Sequence, residues 1–285
     1  MVTSEMGENA ESRFSALLAG AARLPGVRID REAYLRTALA RHCPEDQLRR
    51  AMEENPAAAG IPLDVLDKVA NDSIRYETAK VSALSAAAGL PGALALPATV
   101  PADLAQYVAH MLRVAQKLAY LYSWPDLFSV DKDELDDATK SVLTLFFGVM
   151  FGTQSANAAV GKVAEAVAEQ VAKKLPQQAL TKGVVYPVVK KIAQYLGVEM
   201  TKQTFAKSVS KAIPLVGAAV SGGLTYATFR PMSRRLKAHL SGLDLAKPVG
   251  GQVIVGEVIQ DEDRPAADEA KIPKPGREWR VLKRR

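Results

Sequence analysis

Asp103, Gln106, His110, Arg113, Lys117 and Tyr120 follow one another at three- and four-residue steps within "PADLAQYVAHMLRVAQKLAYLY". On a helix such spacing lines all six side chains along one side. An imidazole with a carboxylate and a guanidinium within reach can move a proton, and the basic members can hold an anionic head group. The plainer reading is a solvated helix face whose charge pairs each add a few tenths of a kcal/mol. That plainer reading is the one expected, and no catalytic residue is assigned. Other reactive residues form weaker patterns. Cys43, the one cysteine, adjoins His42, but two residues are too few for a metal site. "DKDELDD" at 131–137 lacks the glycine and the spacing of a calcium loop, and reads instead as a helix start with Asp131 and Glu134 spaced as in a capping box. Neither a metal nor a cofactor is expected.

Charge is divided along the chain. Residues 1–161 hold 15 Lys and Arg against 20 Asp and Glu, whereas residues 162–285 hold 22 against 11, so a net +6 conceals an acidic half and a strongly basic one. A basic half attracts nucleic acid or an anionic membrane surface. Nucleic acid is the less expected partner, because stacking aromatics are not interleaved with the basic residues and no recognition helix stands out. Lys207 and Lys211 precede the uncharged stretch "AIPLVGAAVSGGLTYATF", and Arg230, Arg234, Arg235 and Lys237 follow it. Trp279 lies among five basic residues in "REWRVLKRR". These seven positions are the candidate membrane- or partner-binding set.

The elements that carry these residues read as helices. Alanine is abundant and aromatics make up 6% of 285 residues, which favours closely packed helices over strands. The expected fold is all-α, a multi-helix bundle with glycine- and alanine-rich core helices over residues 1–246, followed by a disordered charged tail over 247–285. Asp30 is a plausible N-cap for "REAYLRTAL", and Pro44 suits the first turn of the next helix. Leu63, Leu66, Val69, Ala70, Ile74 and Val81 form the buried stripe of a longer one. Pro91, Pro97 and Pro101 are too close together for an uninterrupted helix. "GGQVIVGEVIQ" could add one short strand.

Three uncharged segments, 81–102, 141–161 and 212–229, approach the length of a membrane span. Prolines, glycines and polar residues argue against spanning in each. Gly148 and Gly152 make a GxxxG, and with Gly217 and Gly222 they are candidate positions for close helix packing, within the chain or in a homo-oligomer. The first ten residues contain two glutamates and neither Lys nor Arg, so no export signal is expected and the chain is expected in the cytoplasm.

"LPG" at 24–26, "GLPG" at 89–92, the helix at 101–122 and "IPLVGAAVSGG" at 213–223 together resemble the EcsC protein family over about residues 20–240. The resemblance implies a bacterial, largely helical protein associated with the cytoplasmic membrane, with no established reaction. The function expected is noncatalytic: attachment at the cytoplasmic membrane face, to anionic lipid or a membrane-protein partner, through the basic C-terminal half. A soluble enzyme using the His110 face, or a membrane-active oligomer assembled through the glycine-bearing helices, is the alternative.

Overall fold

"LTLFFGVMF" is the most apolar run of the sequence and becomes the helix that the others surround. In the computed structural model α6 (Asp137–Met150) is buried at every position from Ala138 to Met150 except Lys140. A helix that is apolar all round belongs inside a protein of this size. Its rings meet neighbours edge to face, Phe147 with Phe14 and Phe146 with Trp124. The structure describes residues 2–89, 96–128, 135–169, 174–210 and 216–248, with side chains at 7–87, 104–128, 135–169, 174–200 and 222–248.

The described residues form ten α-helices and a 3-10 turn at Asp244–Ala246, without a strand, so the protein is an all-α bundle. Around α6 lie α5 (Leu96–Leu121), α9 (Tyr186–Ser210) and α10 (Val216–Ser241); α1 (Val2–Ala22) packs along α9 and α5, and α4 (Leu63–Gly89) packs along both α5 and α10. The short α2 (Arg31–Leu39) and α3 (Glu45–Glu53) precede α4; α7 (Gln154–Ala168) and α8 (Gln177–Thr181) separate α6 from α9.

Local chemistry sets the helix ends. Asp30 caps α2, its carboxylate accepting from the Ala33 amide at 2.6 Å, and Pro44 stands just before α3. The start of α6 differs from the capping box at Asp131. Asp136 is the cap, accepting from Thr139 N at 2.7 Å, while residues 129–134 lie outside the described part. Helix α5 begins earlier than the prolines suggest. Pro97 falls in its first turn, where an amide has no intrahelical partner, and Pro101 gives up a single bond. The turn between α6 and α7 uses Gly152 at a φ of +82°, a left-handed conformation costly for other residues.

Two close approaches depend on missing side chains. A Cβ at Gly197 in α9 would overlap the Ala10 carbonyl of α1, and one at Gly148 would stand 2.8 Å from the Ala156 Cβ and 2.9 Å from Ile192 Cγ2. Gly222 faces α4, where an added Cβ would lie 3.0 Å from the Ala86 Cβ. Gly217 lies within α10. No helix among the described residues is long and apolar enough to cross a membrane. The expected strand at 250–260 and, of the tail expected to be disordered, residues 249–285 fall outside the described residues.

Candidate functional site

Helix α5 is central rather than superficial, and this changes what its polar side does. Between Tyr107 and Leu121 every residue except Arg113 is buried, His110 and Lys117 included. The expected solvated face is covered by α4 and by the turn at residues 24–29. Gln116 holds that turn, its Nε2 donating to the Val27 carbonyl at 2.9 Å and its Oε1 accepting from the Ile29 amide at 2.9 Å. Gly26, the last residue of "LPG", takes a φ of +71° there.

Under this cover the basic residues of α5 converge on one carboxylate from α4. Glu77 is fully buried. Its Oε2 lies 2.6 Å from His110 Nδ1; Arg113 Nε lies 3.1 Å and 3.2 Å from its two oxygens; Lys117 Nζ lies 2.5 Å from Oε1. Burial pushes the Glu77 carboxyl upward, but the His110 hydrogen bond and the Lys117 and Arg113 charges outweigh it and hold the group at about 2. An ionised carboxylate only accepts, so the proton of this contact resides on His110 Nδ1. The Lys117 ammonium also stands 5.0 Å above the Tyr76 ring and 5.8 Å above that of Tyr34, whose hydroxyl pairs with Ser73 at 2.8 Å.

A cleft of about 310 Å³ opens beside this cluster, lined by the Leu24–Val27 turn, Lys80, Gln106, Ala109, His110 and Arg113. Arg113 spans its floor, because Nη1 donates to the Gly26 carbonyl while Nε serves Glu77. The lining contains a guanidinium, an ammonium and an imidazole, and neither a carboxylate nor a Ser, Thr or Cys nucleophile. Such a site can bind negative charge; Glu77, ionised throughout the neutral range, is no general acid. A larger cleft of about 570 Å³ around Arg31 and Trp124 has the opposite character, with Asp30, Glu32, Glu53, Glu54, Asp126 and Asp244 in its lining.

The six residues of the candidate polar face thus separate. His110, Arg113 and Lys117 share Glu77; Gln106 lines the cleft; Tyr120 points elsewhere and donates to Asp126 at 2.9 Å, with burial and that carboxylate raising its phenol. The Asp103 side chain lies outside the described residues. Glu77 escaped the sequence reading because it interrupts an apolar stripe. It follows Ile74 by three residues and precedes Val81 by four, so a carboxylate at a core position was the available signal.

The candidate basic set divides similarly. Lys237 pairs with Asp67 at 2.9 Å, Arg235 Nη1 donates to the Met150 carbonyl at 3.3 Å, Arg230 donates to Tyr226 Oη at 2.8 Å, and Arg234 is exposed. Lys207 lies on α9 without a described side chain, and Lys211 and Trp279 are outside the described residues.

In helix α9 lysines alternate with apolar residues, a pattern that suits either an anionic lipid surface or the wet side of a bundle, and the structure adds exposed tyrosine and valine side chains to that face. Tyr186, Lys190, Lys191, Tyr195 and Val198 are exposed and lie within about 180° of one another at 3.6 residues per turn. Val189, Ile192, Ala193, Leu196 and Met200 occupy the buried side. Just before the helix, Lys182 is exposed and Val184 is 79% exposed. Searches of family models, curated proteins and solved structures returned no match to this chain.

Proposed function

We propose that this is an EcsC-like, noncatalytic protein that attaches to the cytoplasmic face of the membrane, and that the exposed face of α9 makes the contact. The carrying observation is the composition of that face. Val184, Tyr186, Tyr195 and Val198 are exposed beside Lys182, Lys190 and Lys191, and among the described side chains of the helix the one carboxylate, Glu199, is half-buried. Aromatic and aliphatic side chains that enter the head-group region, bordered by lysines that meet lipid phosphates, are what a surface-bound helix requires. The excess of 11 positive charges over residues 162–285 supports the same reading at longer range.

Vesicle co-sedimentation tests it. The chain should pellet with vesicles containing phosphatidylglycerol and not with phosphatidylcholine alone, and binding should fall as salt screens the lysines. The double variant Lys190→Gln/Lys191→Gln should weaken binding at low salt, and Tyr195→Ser/Val198→Ser should lower the fraction that resists salt. Equal binding to neutral vesicles, or indifference to all four substitutions, would refute this face as the contact. Retention by vesicles that carry a membrane protein, but not by lipid alone, would transfer the attachment to a protein partner.

A further inference from the structure

We propose that the cleft between the Leu24–Val27 turn and α5 binds a phosphate monoester, held by Arg113, His110 and Lys80. The proposal does not rest on the membrane contact, which uses a different surface.

The first ground is charge. Glu77 is the one carboxylate bonded within the cluster, yet it faces both Arg113 and Lys117, and Lys80 stands at the mouth with the Tyr76 ring 4.8 Å away. Apart from His110, these four charged groups sum to +2, and no Asp or Glu lines the cleft. A core staple has no use for that surplus, since one carboxylate balances one cation and Gln116 already ties down the turn by two hydrogen bonds.

Orientation is the second ground. Glu77 engages His110 through Nδ1 and Arg113 through Nε, and the Gly26 carbonyl takes Nη1. These contacts fix the ring and the guanidinium from behind and leave His110 Nε2 and Arg113 Nη2 for the cleft that both residues line. Lys80 supplies an ammonium from α4. Three nitrogen groups converging from two helices suit a tetrahedral group with several oxygens, and a surplus of two charges suits a dianion better than a carboxylate. The volume, about 310 Å³, admits the phosphate and a small organic remainder.

A phosphate monoester could be a soluble metabolite or the head group of a lipid such as phosphatidic acid, and the experiment separates them. Inorganic phosphate is titrated into the full chain at constant ionic strength against chloride, following the His110 ring resonances, assigned with His42→Asn and His239→Asn, together with Tm. Phosphatidic acid vesicles are compared with phosphatidylglycerol vesicles of matched charge. Phosphate should shift the His110 resonances and raise Tm. Lys80→Gln should weaken the effect about tenfold, the loss of one charge-assisted contact. Because Lys80 is exposed and outside the hydrogen-bonded cluster, this variant should keep the Tm of the parent when phosphate is absent. Response to free phosphate assigns a soluble ligand, and response only to phosphatidic acid assigns a lipid head group. Silence of His110 toward both, or a Lys80→Gln variant that binds as the parent does, overturns the proposal. The α9 variants leave this site intact, so failure of membrane attachment and failure of phosphate binding register separately.

Discussion

Replacing Glu77 by glutamine removes one charge without changing the side-chain volume, and leaves Lys117 and Arg113 facing each other across a neutral amide. The cost follows from the carboxyl itself. Its descent from 4.5 to about 2, at about 1.4 kcal/mol for each tenfold change in the proton equilibrium, corresponds to roughly 3 kcal/mol of preference for the charged form. Breaking a buried ion pair by removing one partner costs about 3–5 kcal/mol, in agreement. In a helical unit of this size that amounts to a fall in Tm of roughly 10 °C, measurable by calorimetry or circular dichroism. The direction with pH is also fixed. A carboxyl whose folded value is depressed contributes stability above the unfolded value, and that contribution disappears as pH falls from 4.5 through about 2. The gap between parent and Glu77→Gln should therefore be full at pH 7 and narrow below pH 4.5, as read from urea midpoints. A variant within about 1 kcal/mol of the parent at pH 7, or a gap that does not narrow in acid, would refute the keystone role of Glu77. Adding Lys117→Met to Glu77→Gln should restore part of the loss, because the stranded ammonium leaves with it.

Other positions make independent tests. Gly197→Ala should cost about 3 kcal/mol and expose the N-terminal helix to protease, since the added methyl meets the rigid Ala10 carbonyl of α1. Gly148→Ala should cost about 1–3 kcal/mol in chemical denaturation, because the Ile192 side chain can shift but the Ala156 Cβ, 2.8 Å away, moves only with the backbone of α7. Gln116→Ala should cost about 1–3 kcal/mol and raise hydrogen exchange at the Ile29 amide, which loses its acceptor. Gly152→Ala, at a left-handed φ of +82°, should lose about 1 kcal/mol in the same denaturation assay.

Local rules carried the sequence reading a long way. The stripe from Leu63 to Val81, the cap at Asp30 and the abundance of alanine were enough to specify an all-α bundle, because helix propensity, capping and a 3.6-residue period act between residues a few positions apart. The spacing of His110, Arg113 and Lys117 was equally legible, and so was the division of charge between the two halves. Their environment was not. Glu77 is 33 residues from His110, and the turn that covers α5 reaches Gln116 from 87 residues away. Whether a polar helix side meets water or a carboxylate depends on what packs against it, and periodicity within that helix is silent on the matter. The same limit hid α6 as the central helix, the contact of Gly197 with Ala10, and the exposure of Tyr195 and Val198 on α9. Sequence determined which segments coil and which side chains are charged; tertiary packing alone decided which charges lost their water, because burial belongs to pairs of elements and not to either one.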